Sequence, residues 1–308
     1  MLTLLPGLPI QNVRVRSLDI DAREVTWELG PMQTDTLDLY QVEVLRSESP
    51  GGPFDVLSPP FKDRYIFVDR RIPYGDKYVV LWYLLRVTNT QTGEVSYVGP
   101  VTQEADPDLY AQGIRRLEMT YFTQVAGRRC WLFKKRNFGP RCRACWDSVL
   151  QKRTVDRCLD CFSTGILRGY HDPIEVYVQV DPTTKMQQNN AQQIAQFVST
   201  AARMSFYPDV KPGDVLIEME NKRWRVQSVT LSERLRAPVK QELVMRQIEE
   251  KDIEFLLPIR LDKALRDVQP SPPRMYTNHA DVDAAIEARS GEAFSGFVTY
   301  PPFVRGER

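Results

Sequence analysis

The chain carries almost no net charge and very little histidine. Its 308 residues include 41 Lys and Arg against 40 Asp and Glu, so the formal charge is +1. A protein without a global field is not steered as a whole toward nucleic acid or an anionic membrane, and any basic patch must be local. Histidine is limited to His171 and His279, which leaves little scope for histidine-based acid and base chemistry.

Long hydrophobic runs and catalytic motifs are also lacking. The apolar stretch from Met1 to Pro9 has no basic residue and is interrupted by Pro6, so we expect neither a signal peptide nor a spanning helix, and no membrane partner. The sequence contains no Gly-rich phosphate loop, no nucleophile elbow, no metalloprotease motif and no dinucleotide fingerprint. We therefore expect no enzymatic activity and nominate no catalytic or cofactor-binding residue.

What is present fits a globular protein of two or three domains, with 42% hydrophobic and 26% charged residues. Residues 9–105 break into short runs rich in β-branched and aromatic residues, separated by turn residues. The expected strands are Val13–Leu18, Arg23–Glu28, Asp38–Ser47, Tyr65–Asp69, Tyr78–Thr88 and Glu94–Gly99. This spacing predicts a β-sandwich of about seven strands.

Three of these runs resemble strands of a fibronectin type III domain. They are Val25–Glu28, Tyr40–Val44 and Tyr83–Asn89, the last followed by Gly93 and Ser96. The resemblance covers residues 9–105 and implies a binding and spacer module, with Trp27 and Tyr83 in the core between two sheets. Large aromatic side chains on two-sided strands are expected in such a core in any case.

A second β-rich region is expected after an acidic linker at residues 104–108. Leu109–Arg116 has the character of a linker helix, and Leu117–Val125 with Arg129–Lys135 predicts a hairpin. Further strands are expected at Pro173–Val180, Asp214–Met219, Arg223–Val229 and Pro238–Gln247. Together these segments predict a small antiparallel β-barrel over residues 112–260, with the cysteine-containing segment inserted into it.

Two segments lack a clear periodicity. Met186–Met204 is rich in Gln, Asn and Ala and has a few apolar residues at helical spacing, so that the sequence leaves helix and loop equally open. Residues 263–308 are rich in proline and predict an extended arm. Within this arm one short helix is expected at Asp281–Arg289.

All five cysteines lie close together in the sequence. Cys142 and Cys145 form one Cys-x-x-Cys pair, Cys158 and Cys161 form another, and twelve residues separate the pairs. Four thiolates at this spacing converge on one tetrahedral ion, so these residues are the predicted ligands of a structural zinc. The alternatives are two disulfides or free thiols, an iron–sulfur cluster, or a catalytic role. Cys130 is expected to pack as a small apolar residue.

The only marked charge asymmetry lies next to this segment, because residues 128–143 contain no acidic residue. The basic residues there are Arg128, Arg129, Lys134, Lys135, Arg136, Arg141 and Arg143, interleaved with Trp131, Phe133 and Phe138. One interpretation is a nucleic-acid surface, with basic groups on phosphates and aromatic rings available for stacking. The other is a strand whose apolar face is core and whose basic face is solvated or pairs with acidic neighbours.

A second resemblance depends on the combination of these features. It is carried by Asn137–Cys142 and the cysteines up to Cys161, by Gly165 and Gly169-Tyr170, and by Gly213–Val215 leading into Trp224–Val226. The pattern resembles virion structural proteins of tailed bacteriophages and, more narrowly, head-closure or stopper proteins of the phage neck. The resemblance implies a symmetric ring of copies around the DNA channel, in contact with portal or adaptor proteins, tail proteins and packaged DNA.

The expected architecture is therefore mainly β. It comprises an N-terminal arm (1–8), a fibronectin type III-like sandwich (9–105), a linker helix and first barrel hairpin (106–136), a zinc-ribbon insertion (137–172), a β-barrel (173–262) and an extended C-terminal arm (263–308). The expected location is the virion, assembled in the host cytoplasm. The alternative functions are a zinc-ribbon nucleic-acid-binding protein and a structural protein of the tail or baseplate.

Overall fold

The computed structural model describes residues 10–19, 21–30, 37–72, 79–103, 108–181, 185–187 and 197–270. The fold is mainly β, as predicted, with 46% of the residues in strands and 12% in helices. Within these ranges, no helix is both long and apolar enough to cross a membrane. The expected N-terminal arm (1–8) and the expected helix at 281–289 lie outside the described residues.

Eight strands form a two-sheet region between residues 10 and 103. They are β1 (Ile10–Asp19), β2 (Ala22–Leu29), β3 (Tyr40–Ser47), β4 (Asp55–Val56), β5 (Phe61–Lys62), β6 (Ile66–Asp69), β7 (Trp82–Asn89) and β8 (Val95–Thr102). One antiparallel sheet has the order β1-β2-β6, and the other has the order β4-β3-β7-β8, with β5 paired to β3. The sequence does not predict β4 and β5, because two residues carry no periodicity.

The two sheets enclose a common apolar core. Alternate residues point inward and are almost inaccessible to solvent, among them Val25, Trp27, Val42, Val44, Tyr83, Leu85 and Val87. Trp27 and Tyr83 therefore lie where the sequence predicts them, and the Tyr83 hydroxyl donates to the Asp69 carboxylate at 3.0 Å. Membership of the fibronectin type III family remains a prediction.

The predicted hairpin strand at Leu117–Val125 is wrong. Helix α1 runs over Leu109–Tyr121 and continues as a π-helical turn over Phe122–Ala126. One face is buried, at Ala111, Gln112, Arg115 and Phe122. The packing of this face outweighs the β-propensity of the Thr and aromatic residues in the segment. The expected first barrel hairpin is thus a helix followed by a single strand.

Six strands close into an antiparallel β-barrel. The strands after α1 are β9 (Arg128–Phe133), β10 (Trp146–Asp147), β11 (Lys152–Arg153), β12 (Ile174–Val180), β13 (Lys185–Gln187), β14 (Phe197–Ser205), β15 (Val215–Glu218), β16 (Arg223–Arg234) and β17 (Ala237–Gln247). The barrel order is β12-β9-β15-β16-β17-β14, and the pairing of β14 with β12 closes it. The segment between β9 and β12 holds the clustered cysteines, so the predicted barrel with an insertion is confirmed.

Neither helix nor loop describes the end of the Gln-rich segment. Strand β14 pairs along its length with β17 and at one end with β12, which makes it a wall of the barrel. Ala202 and Met204 are buried, whereas Arg203 between them is exposed. This alternation is hard to detect in the sequence because Ala, Ser and Thr give little contrast in hydropathy. Residues 188–196 lie outside the described part of the chain.

One face of the β1-β2-β6 sheet packs against the barrel. Leu18, Ile66 and Val68 join barrel side chains in a single apolar cluster. Short 3-10 helices follow the barrel at Ile253–Leu256, Leu261–Lys263 and Arg266–Val268. Val268 is buried in the same cluster, and the Tyr207 hydroxyl donates to its carbonyl at 2.6 Å. The two-sheet region and the barrel therefore share a core, on which the described start of the predicted C-terminal arm also packs.

Candidate metal centre

The cysteine lobe, residues 137–172, is built on two tight turns, one for each Cys-x-x-Cys pair. The Cys142 carbonyl accepts a hydrogen bond from the Trp146 N–H at 2.9 Å, and the Cys161 carbonyl accepts one from the Thr164 N–H at 3.0 Å. The Cys142 N–H donates to the Gly165 carbonyl at 3.0 Å and so joins the two turns. The ribbon of β10 and β11 lies between them in the sequence.

The structure brings the four predicted ligands together. The sulfur atoms of Cys142 and Cys158 lie 3.7 Å apart, those of Cys145 and Cys161 lie 3.3 Å apart, and all four lie within 4.8 Å of one another. A tetrahedral ion with bonds to sulfur of about 2.3 Å requires sulfur–sulfur distances of about 3.8 Å. All four thiols are buried and free, and these separations are too long for disulfides. The cluster can therefore hold one metal ion.

Backbone N–H groups are directed at the sulfurs. Burial acts to raise the pKa of Cys158, but hydrogen bonds from the N–H groups of Asp160 and Cys161 help to bring that pKa below its ordinary value. Burial raises the pKa of Cys142 to about 11, although the Ala144 N–H donates to its sulfur. Amide donors of this kind stabilise the excess negative charge of metal-bound thiolates. Four sulfur ligands with such support are compatible with zinc.

Two glycines after the second cysteine pair occupy positions where a side chain would be strained or crowded. Gly169 has φ of +62°, and a Cβ there would lie 2.3 Å from the Cys161 carbonyl oxygen. Gly165 has φ of +78° and lies against Trp146 and Arg153. An L side chain at Gly169 would be strained and would overlap the turn that positions a ligand.

An ion-pair network connects the cysteine lobe to the two-sheet region. Asp63, between β5 and β6, pairs with Arg136 at 2.8 Å and with Arg168 at 2.6 Å. Arg168 also reaches Asp38 at 3.2 Å. The side chains of Asp63 and Arg136 are almost completely buried, whereas Arg168 is about half exposed. Leu167 packs against the core of the two-sheet region. The sequence gives no signal for this network, because it forms only through tertiary contact.

The basic stretch of residues 128–143 is used only in part inside the fold, because Lys134 and Arg136 are buried whereas Arg128, Arg129, Arg141 and Arg143 are exposed. Its ion pairs include those of Arg129 with Glu175, Lys134 with Asp214, and Arg136 with Asp63. The Arg141 guanidinium stacks 4.1 Å from the centroid of the Trp146 ring. In β9, Cys130 and Leu132 are buried, Arg129 pairs with Glu175 of β12 and Arg128 is exposed, which fits a strand with an apolar inner face and a basic face that is partly paired and partly solvated. The exposed basic residues on the cysteine lobe include Arg141, Arg143 and Lys152.

The Gly213-Asp214 pair forms a brace at the start of β15. The Asp214 carboxylate pairs with the Lys134 ammonium and accepts hydrogen bonds from the backbone N–H groups of Lys135 at 2.9 Å and Lys211 at 2.7 Å. The Asp214 side chain is almost fully buried, and Gly213 has φ of +93°. This turn fixes the entry of β15 against the end of β9.

Cys130 lies apart from the metal cluster. Its side chain belongs to the apolar core of the barrel, as expected of a small apolar residue. Burial raises the pKa of its thiol to about 12, so this cysteine stays protonated at neutral pH.

No protein-family model matches the chain, and no curated protein is significantly similar to it. The chemistry and geometry of the residues themselves therefore carry the assignment of function.

Proposed function

We propose that this protein is a structural component of a tailed-bacteriophage virion, specifically a stopper-like neck protein that forms a ring around the DNA channel. The observation that carries the proposal is the closed six-stranded barrel with the cysteine lobe inserted between β9 and β12. The Gly213-Asp214 turn, which belongs to the resemblance to stopper proteins, is a buried brace of that barrel. The partners in this proposal are further copies of the chain, portal or adaptor proteins, tail proteins and packaged DNA.

In this proposal the cysteine lobe holds one structural zinc ion. Four thiolates fill every position of a tetrahedral zinc site, so the ion stabilises the lobe and has no open position for a substrate. Metal analysis of protein purified without added metal is expected to give about one zinc per wild-type chain. The double variant Cys142→Ser/Cys161→Ser is expected to contain none, whereas Cys130→Ala keeps its zinc. Iron in place of zinc, with visible absorption, would assign an iron–sulfur cluster instead.

The virion proposal is tested by the copy number of the protein in purified particles. Quantitative mass spectrometry, calibrated on the major capsid protein of the same sample, is expected to give the number of copies in one symmetric ring. Imaging of particles that carry a labelled chain then separates a neck position from a tail or baseplate position. Absence of the protein from particles would overturn the proposal.

A zinc-ribbon nucleic-acid-binding protein is the second candidate, favoured by the exposed Arg141 and Arg143 on the cysteine lobe. It predicts an affinity for DNA that falls steeply as salt is added, because bound cations are released from the phosphates. The variant Arg141→Gln/Arg143→Gln is then expected to bind more weakly than Lys222→Gln/Lys251→Gln, which removes the same charge from other exposed positions. Equal binding by both variants contradicts this candidate.

A further inference from the structure

Helix α1 presents an apolar face to solvent. Tyr110, Leu117 and Tyr121 are 63%, 70% and 43% exposed, and Val125 in the π-helical turn is 76% exposed. With Ile114, they are spaced by three or four residues and lie on one side of the helix, which we name the outer stripe. Surface helices usually turn polar residues to this side. Within the part of the chain that the structure describes, no element covers the outer stripe.

Gly113 lies next to the outer stripe in the middle of α1. Glycine weakens a helix relative to alanine because it adds freedom to the unfolded chain. The fold of one chain does not require glycine here, since a Cβ would meet no atom within 4 Å. Three residues after Tyr110 and four before Leu117, the position faces the same side as they do. A glycine on that side lets a neighbouring backbone approach closely.

The exposed apolar surface continues beyond the helix. The Arg234 guanidinium lies 4.2 Å from the centroid of the Tyr110 ring, and Leu235, in the turn between β16 and β17, is 76% exposed. Together with the outer stripe, the exposed fractions of these side chains correspond to an apolar surface on the order of 500 Å². Each partner of a standard interface contributes roughly 800 Å², including its polar rim. The surface is therefore large enough to form the centre of a stable interface.

The charges beside the outer stripe do not oppose contact between two copies. Arg115 is buried against the barrel, where its guanidinium lies 4.3 Å from the centroid of the Phe206 ring. Arg116 is paired with Asp19 at 2.7 Å. The formal charge of the whole chain is only +1. The residues of the outer stripe are themselves uncharged, and Arg234 lies on the Tyr110 ring. Two copies can therefore bring their outer stripes together without appreciable net repulsion.

From these observations we infer that the outer stripe of α1 packs against a second copy of this chain. The inference depends on the self-association contained in the proposed function, for which it names the contact surface, but it does not depend on location in a virion. The other occupants to be distinguished are residues 271–308 of the same chain and a different protein.

The test is sedimentation of the full-length, metal-loaded chain over a wide concentration range. The wild type is expected to self-associate, and Leu117→Glu/Tyr121→Glu is expected to raise the dissociation constant at least ~30-fold, as loss of a central hot spot does. The control Val149→Glu/Leu150→Glu adds the same charge at exposed apolar residues of the cysteine lobe and leaves the constant unchanged. Circular dichroism and thermal melting establish that both variants are folded.

Gly113→Ala adds a test that does not introduce charge. Alanine favours the helix but fills the space beside the outer stripe, so thermal stability of the monomer is expected to rise while self-association weakens. A wild type that stays monomeric throughout, or glutamate variants that associate normally, would overturn the inference. The second result would assign the outer stripe to residues 271–308 or to another protein. A stoichiometry limited to two copies would support the contact but contradict the ring, and the copy number in particles is measured separately.

Discussion

Two glycines with similar backbones show what a single residue contributes to the metal site. Gly169 and Gly93 have φ of +62° and +72°, but only Gly169 is crowded, by the carbonyl of the ligand Cys161. Gly93→Ala is expected to cost about 1 kcal/mol of unfolding free energy, the strain of a left-handed L residue. Gly169→Ala is expected to cost more than about 2 kcal/mol and to reduce bound metal, because the turn must move.

Urea unfolding followed by tryptophan fluorescence, with metal analysis of each variant, makes this comparison. Gly93→Ala serves as the control for backbone strain, because a Cβ there meets no atom within 4 Å. Equal costs for the two substitutions would show that steric overlap with Cys161 does not constrain the second turn.

The environment of His171 predicts that the stability of the fold decreases as the pH is lowered. The His171 ring packs against Tyr65 with centroids 4.0 Å apart, and burial, with Arg136 and Lys134 nearby, holds its pKa well below the ordinary value. The unfolded chain binds the proton more tightly, so the stabilisation is complete above about pH 6.5 and is lost as the pH falls below it. The loss approaches about 1.4 kcal/mol per pH unit for one proton.

The measurement is the free energy of unfolding of the wild type and of His171→Gln at a series of pH values. The variant is expected to be less stable at neutral pH and to lose less stability as the pH is lowered. Parallel curves for the two proteins would show that His171 is not the titrating group.

The residues of the site differ in how far the sequence reveals them. The four cysteine ligands are predictable because their spacing encodes a local contact. Asp63 is not predictable, since its partners Arg136 and Arg168 are 73 and 105 residues away in the sequence. The same holds for the pairing of Lys134 with Asp214, 80 residues apart, which places one residue of the basic stretch in a buried brace.

At the scale of elements, prediction succeeds where one side of a strand is buried and the other is exposed. The final strand β17 alternates in this way and lies where the sequence predicts it. The hairpin of β15 and β16 is also predicted, because β15 is a short apolar run that is buried on both faces. Prediction fails for α1 and for β14. In α1, residues with β-propensity are helical because the buried face of the helix packs against the rest of the fold. In β14, a strand of the barrel, the small residues differ little in hydropathy, so the sequence does not show the alternation of buried and exposed positions.

The start of α1 depends on a cap that the sequence contains. Asp108 accepts a hydrogen bond from the Ala111 N–H, which satisfies one of the free donors of the first turn. Asp108→Ala is expected to lower the free energy of unfolding by about 1 kcal/mol. Asp108→Ser keeps an acceptor and is expected to lose only a few tenths of that amount. Urea denaturation of the three proteins tests this, and equal losses in both variants would argue against capping.

At the scale of the whole molecule, three parts of the chain depend on one another. The β1-β2-β6 sheet shares an apolar cluster with the barrel, and the cysteine lobe contacts the two-sheet region through Leu167 and the Asp63 network. The sequence suggests consecutive modules, because composition and spacing report on each segment separately. The shared core forms because the outer face of the β1-β2-β6 sheet carries Leu18, Ile66 and Val68. In the sequence these apolar residues indicate only that the segments are strands, and not that this face contacts the barrel.

This arrangement predicts that metal removal acts beyond the cysteine lobe. Arg168 follows the second cysteine pair closely, and its N–H donates to the Asp160 carbonyl at 3.1 Å. The turn that the metal holds therefore positions the guanidinium that pairs with Asp63. Chelation is expected to increase hydrogen exchange in the loop between β5 and β6 as well as in the cysteine lobe. The reason is that the buried Asp63 carboxylate loses one of its two positively charged partners, the Arg168 guanidinium.

The turn between β3 and β4 belongs to the same two-sheet region and is held by local hydrogen bonds among Ser47, Ser49, Gly51 and Gly52, so it serves as the internal control and should keep its exchange rate. Arg168→Ala in the metal-loaded protein should increase exchange in the β5–β6 loop while the cysteine cluster keeps its metal. If chelation accelerates exchange only within residues 137–172, the metal stabilises the lobe alone, and the link through Asp63 contributes nothing to the rest of the fold. Acceleration in the β5–β6 loop, reproduced by Arg168→Ala, would mean that the metal also stabilises the contact between this loop and the barrel, because Asp63 pairs as well with Arg136, which lies shortly after β9.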